Sequence, residues 1–202
     1  MTTVREAIER RRSIRKFKGD EVPEEALREL LEAARLAPSG SNSQPWRFKV
    51  AREATLRAEL AEAANGQSFV REAPAVLVCC VELGGYIDGS LETIREMAER
   101  RQLSAEMTES MISRMETLRS RPRDELAASA AFNVAIAGEH VALRAVELGL
   151  GSCWVRAFDE SRVRRTLGLG ENHYVVALMP LGYPDEDPAP RRRRRLEDIL
   201  LA

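Results

Sequence analysis

Apolar residues fall on helical spacing at the start of the chain, where Val4, Ala7 and Ile8 share one face and Thr3 stands three residues ahead of Glu6. This is capping-box spacing and predicts a helix over residues 3–12. Pro23 with Glu24 and Glu25 marks a second start; Leu27, Leu30, Leu31 and Ala34 form its apolar stripe, and Pro38 and Gly40 stop it. Trp46, Arg47, Phe48, Lys49 and Val50 then alternate with the period of a half-buried strand. Helical spacing returns over residues 53–64 and closes at Asn65-Gly66. Residues 75–81 are continuously apolar between Pro74 and Gly84, the pattern of a central strand buried on both faces.

After Gly84-Gly85 the chain is charged and helix-prone over residues 88–119, up to a break at Pro122. The expectation there is a helical excursion from the core at about residues 84–123. A long Ala-rich helix is predicted over 124–148, where Ala130, Ala131, Ala135, Ala137 and Gly138 suit a buried helix or a subunit interface. Gly149 and Gly151 end it, residues 152–155 read as a short strand, Asp159 caps a helix reaching Leu167, and 174–181 form another apolar strand. A Pro-rich charged arm over about 184–202 carries arginine at every position from 191 to 195 before a short terminal helix. Helices and strands mix too irregularly for regular βαβ units, so the expected class is α+β: one domain over residues 1–202, its central sheet covered by helices.

The 202 residues, 44% hydrophobic and 31% charged, have the composition of a soluble globular protein with one sizeable core. A formal charge of −1 leaves no global field to draw nucleic acid or an anionic membrane, so neither is an expected partner. Among 31 cations only Lys16, Lys18 and Lys49 are lysines; the remainder is arginine, the side chain suited to bidentate phosphate contacts. Cys79, Cys80 and Cys153 form neither a disulfide framework nor a metal-ligand spacing, so no metal is expected and a cytoplasmic location fits. The first twelve residues carry charges where an export signal needs an apolar core, and the longest apolar run, 73–81, is far short of the ~20 residues of a membrane helix.

Gly149-Leu150-Gly151 lacks the third glycine of a dinucleotide fingerprint, and no P-loop pattern occurs. His140 and His173 sit beside no nucleophile motif, so structural roles are expected for both. Three segments could carry chemistry. Arg11-Arg12-Ser13-Ile14-Arg15 could grip a phosphate and polar ring atoms, or be a solvated helix end. The stretch from Pro38 to Trp46, dense in Ser, Asn, Gln and Gly, is a hydrogen-bonding loop between a helix and a strand, or a loop and no more. The third is the run of five arginines, which could otherwise be a solvated tail or a nonspecific nucleic-acid patch.

The ordered set R-R-S-I-R-x-F, A-P-S-G-x-N-x-Q-P-W, G-L-G-S-C-W and L-G-Y-P followed by a basic tail and L-E resembles the nitroreductase family of FMN-dependent NAD(P)H oxidoreductases, over nearly the whole chain. That resemblance implies a three-layer fold with a mixed, mostly antiparallel sheet, in an intertwined homodimer holding FMN at its subunit interface. By position, Arg11, Arg12, Ser13 and Arg15 would bind the phosphate, ribityl chain and pyrimidine edge, and Arg193 and Arg194 would close over the phosphate. Pro38, Ser39, Gly40 and Asn42 would come from the opposite subunit, with Gln67 at the polar edge. Trp154, Val155, Arg156 and Ala157 would pass the ring, with Arg156 a departure from the glycine the family commonly has there.

The implied reaction is ping-pong: NADH or NADPH donates, and a nitroaromatic, quinone or similar small electrophile accepts, the flavin carrying the hard chemistry and no protein acid or base being assigned. Arg15 is expected to stabilise the reduced flavin. Met107, Met111 and Met115 share one helical face and either pack ordinarily or form a pliable lid. Buried, inert thiols are expected for the three cysteines. Competing readings are reductive dehalogenation or flavin breakdown on the same scaffold, and a nonenzymatic, Arg-rich nucleic-acid-binding module.

Overall fold

The computed structural model describes residues 2–201. Its centre is an antiparallel ladder of β1 (Trp46–Ala51), β2 (Ala75–Glu82), β3 (Gly151–Ser152) and β4 (His173–Gly182), in the order β1-β2-β4-β3. A single parallel bridge, Ser13 to Ser152, extends it at the β3 edge. β2 lies between β1 and β4, and every residue from Ala75 to Val81 is buried. Alternation divides its side chains between two cores. Leu77, Cys79 and Val81 face one cluster, while Val76, Val78 and Cys80 face the other.

The first cluster is roofed by α2 (Glu24–Arg35), α5 (Leu83–Glu99) and α7 (Arg123–Glu147), the second by α3 (Ala54–Ala63), α4 (Ser68–Glu72) and α8 (Glu160–Thr166). The sheet therefore lies between two helical layers, as expected for α+β. α1 (Val4–Arg10) carries the expected capping box: Glu6 N–H donates to Thr3 Oγ1 at 3.2 Å, and Thr3 N–H donates to the Glu6 carboxylate at 2.7 Å. It stops at Arg10, short of residue 12, because the chain at Arg11 turns extended to pair with β3.

Three local expectations are corrected. The stretch at 84–123 packs into the core through α5 and α6 (Ala105–Arg119), with Ile87, Leu91, Ile94 and Met115 all in the first cluster. Gly84 and Gly85 sit inside the first turn of α5 and do not precede it. Gly89 brings that helix against the 38–45 loop, since a Cβ there would stand 2.7 Å from the Ser43 carbonyl oxygen. The short strand is Gly151–Ser152 rather than 152–155, with Val155 rejoining β4 as an isolated bridge to Leu178. α4, five residues long, carries no long apolar period, and the sequence pattern predicts no element there.

α7 is long and apolar enough to cross a membrane by length and composition alone, but half of its most apolar window is buried inside this fold. Its inward residues, among them Ala127, Ala130, Val134, Ala137 and Val141, are core.

Candidate functional site

Beyond α1 the chain runs extended along the sheet edge. Ile14 N–H donates to Ser152 O at 3.0 Å and Lys18 N–H to Tyr183 O at 2.9 Å. Ile14 is buried, so period-two alternation turns Ser13 and Arg15 to the other side. The returning arm is fastened here: the Glu186 carboxylate accepts from the backbone N–H groups of Arg15 and Lys16. Residues 188–193 thereby lie over the N-terminal segment.

Arg11, Arg12, Ser13, Arg15, Arg191 and Arg193, with Pro188 and Ala189, line one cavity of about 100 Å³. It gathers five guanidiniums and, among the described residues, no carboxylate in its lining. Guanidiniums clustered in this way call for an anion whose oxygens can accept several forked N–H bonds, and a phosphate meets that requirement. Arg12 is held by donation to Glu9 O at 2.7 Å and Arg11 O at 2.8 Å. Arg194 is not in this cavity; with Arg192, Arg193, Arg195 and Asp198 it lines an open surface alongside, so that Arg193 alone borders both. Residues 191–195 have no helical turn and all five arginines are exposed; Arg191 and Arg193 border the cavity, whereas Arg192 and Arg194 border only the open surface.

The strip over residues 154–157 is pinned on both sides. Val155 exchanges backbone hydrogen bonds with Leu178 at 2.9 and 3.0 Å. Ala157 O accepts from Asn65 Nδ2 at 3.0 Å and Gln67 Nε2 at 3.2 Å. Arg15 stands 5.8 Å from the Phe69 ring centroid, which joins the Gln67 end of the strip to the arginines. Trp154 Nε1 donates to Glu139 Oε2 at 3.1 Å, and Glu139 Oε1 lies 3.5 Å from Arg11 Nε. Arg156 is exposed, and among the described residues its guanidinium has no ion-pair partner.

The loop of Pro38, Ser39, Gly40 and Asn42 has left-handed backbone at Ser41, Asn42 and Gln44, with φ of 48°, 47° and 44°. Three non-glycine residues in that region within one short loop mark a conformation imposed by its surroundings. Gly40 N–H donates to Asn133 Oδ1 at 2.9 Å, and Gln44 N–H to Ser39 Oγ at 3.0 Å. Asn133 and Glu139 stand six residues apart on α7, about 9 Å of rise and about 240° of rotation. Within one chain the loop and the arginine cavity therefore lie against different sides of that helix.

Burial pushes the Cys80 thiol up to about 12 and raises Cys79 further, while at Cys153 burial raises the thiol against the opposing pull of Arg15. None is a thiolate near neutral pH. Glu139, Asn133, Phe69 and Glu186 are the site-lining residues that motif reading passed over. Asn133 had a signal: it is a buried polar position within the apolar run of α7, where an unpaired side chain would be costly.

The Nitroreductase family model matches residues 8–183. A protein of Thermus thermophilus named NADH dehydrogenase is 38% identical over 194 residues, covering 95% of this chain and 92% of that one. The crystal structure of a nitroreductase family protein from Streptococcus pneumoniae superposes with a TM-score of 0.79 at 25% identity, covering 99% of this chain and 100% of that one. An NADPH:FMN oxidoreductase from Vibrio harveyi, complexed with NAD+, superposes with a TM-score of 0.76 at 25% identity, covering 98% of this chain and 76% of that one.

Proposed function

The chain belongs to the nitroreductase family, and on that premise we propose that it is an FMN-dependent enzyme passing electrons from NADH or NADPH to a small conjugated electrophile, a nitroaromatic, quinone or similar, in a ping-pong exchange. The observation that carries this reading is the convergence of arginines from both ends of the chain, Arg11, Arg12 and Arg15 with Arg191 and Arg193, on one cavity without a carboxylate lining among the described residues. That donor set fits the phosphate of FMN, and Ser13 adds a hydroxyl beside it. When bound, FMN supplies two-electron chemistry that side chains lack, which accords with the assignment of no protein acid or base.

The residues of this chain hold and orient. Arg15, fixed by its backbone bond to Glu186 and its stacking on Phe69, places a cation beside the Gln67 end of the strip, where negative charge would be stabilised. Val155 and Ala157 present a backbone edge pinned by Leu178, Asn65 and Gln67, so a planar ring laid along it meets a rigid wall. The two substrates would occupy that open face in turn, which requires no separate nicotinamide fold.

The working form is a homodimer with FMN at the interface and the Pro38, Ser39, Gly40 and Asn42 loop supplied by the second copy. Support comes from the separation of that loop from the arginine cavity along α7. It also comes from Val4, Ile8, Leu36 and Phe132, large apolar side chains left exposed on α1, α2 and α7. The cellular location proposed is the cytoplasm.

The test is direct: purify the protein, record its visible spectrum, and add NADH or NADPH without oxygen. Yellow protein that bleaches and recovers its colour with a nitroaromatic or quinone supports the reading, and the faster donor gives the preference. A colourless protein that takes up no added FMN refutes it.

A further inference from the structure

The indole of Trp154 lies against the backbone of α7 at Gly138, so closely that a Cβ on that residue would stand 2.3 Å from the ring's Cη2. Its Nε1–H donates to Glu139 Oε2 at 3.1 Å, and the other carboxylate oxygen lies 3.5 Å from Arg11 Nε. One carboxylate thus touches the phosphate-side arginine and the tryptophan that opens the 154–157 strip. Neither contact belongs to the motif segments, since Glu139 arrives on a different element. Glu139 is partly exposed, with its side chain at 45% of full accessibility, so a carboxylate there is not required by the core.

From this geometry we infer that Glu139 is a positioning residue. Resting on the FMN reading above, it sets the Trp154 ring and the Arg11 guanidinium in one frame before the cofactor arrives, so that the phosphate end and the ring end of the site are held in register. The packing explains why a tether is needed. The Gly138 notch accepts the ring in one orientation, but a flat indole edge on a glycine can slide along the helix, and the directional N–H···O bond removes that freedom. The carboxylate also keeps Arg11 turned toward α7. Among the described residues, no other arginine of the cavity forms an ion pair with Glu139, which separates its action from that of the phosphate site as a whole.

The experiment compares Glu139→Gln with Glu139→Ala. Glutamine keeps an acceptor oxygen for the indole and removes the charge; alanine removes both. The chain has two tryptophans, so a Trp46→Phe background makes Trp154 the sole emitter in cofactor-free protein. Glu139→Ala is expected to lower Trp154 fluorescence anisotropy and red-shift its emission, with Glu139→Gln close to the parent. FMN titration, followed by quenching of flavin fluorescence in the native-tryptophan background, is expected to show about tenfold weaker binding for alanine and under about threefold for glutamine, the scale of one hydrogen bond to a charged group. Unchanged anisotropy in Glu139→Ala overturns the inference. Equal losses in both variants also overturn it, because they assign the effect to charge on Arg11 alone. Should the parent bind no FMN, the family-based reading fails while the anisotropy comparison still decides the tether.

Discussion

Gly138→Ala sets two opposed energies against each other. In the middle of α7, alanine is favoured over glycine by about 1 kcal/mol of helix propensity. The added methyl would sit 2.3 Å from Trp154 Cη2 and 2.9 Å from Cζ2, inside any real contact. The ring cannot give way freely, because moving it breaks the bond from Nε1 to Glu139. Overpacking of this kind costs about 1–3 kcal/mol and the lost charge-assisted bond about 1.5 kcal/mol, so the clash wins and the variant loses about 2 kcal/mol net. In a chain of this size that lowers Tm by about 4–8 °C, measurable by thermal melts followed with circular dichroism. A companion measurement fixes the cause: in a Trp154→Leu background the same glycine change should stabilise by about 1 kcal/mol, since only the propensity gain remains. A Gly138→Ala protein that melts at or above the parent, with unchanged tryptophan emission, would show that the ring has room and refute the reasoning.

Other outcomes follow from the same geometry. Arg193→Ala should weaken FMN binding about tenfold or more in a fluorescence titration, whereas Arg194→Ala, which borders only the open surface outside the cavity, should change it by under about twofold; equal effects would contradict that difference in placement. At pH 8, native protein should leave Cys79, Cys80 and Cys153 unlabelled by iodoacetamide, and all three should label once guanidinium unfolds the chain, as counted by mass spectrometry. Burial raises the folded-state Cys80 thiol above its unfolded value, so from about pH 8.5 to about 12 only the unfolded chain releases that proton; stability should therefore fall with rising pH across the window, by up to about 1.4 kcal/mol per unit, in urea melts. Arg123→Met should cost about 2–3 kcal/mol by the same melts, because it strips Glu160 of its 3.0 Å partner in a half-buried setting and frees His173 O and the Tyr174 ring face.

Periodicity located the elements whose burial is one-sided or total. α2 shows its stripe in Leu27, Leu30 and Ala34, and β2 shows a continuous run, because each pattern is the direct image of what the residue touches. It failed at α5, where charged residues on the outer face concealed a buried stripe of Ile87, Leu91 and Ile94, and where Gly84-Gly85 read as a break although the helix runs through it. Motif reading found the arginines and the strained loop, whose residue types are unusual in place. Glu139 and Phe69 escaped because their roles come from contacts across elements, Glu139 with Arg11 and Trp154, and Phe69 with Arg15. No spacing along the chain encodes such contacts.

The bonds from Arg15 and Lys16 to Glu186 join positions 171 and 170 residues apart. During synthesis the first wall of the arginine cavity leaves the ribosome about 170 residues ahead of the second. A nucleotide cofactor arriving sooner would meet Arg11, Arg12 and Arg15 but neither Arg191 nor Arg193, so the complete set of cations is offered only by the finished scaffold. The closing cost of that long loop grows only logarithmically with its length, so the delay is one of timing more than of energy.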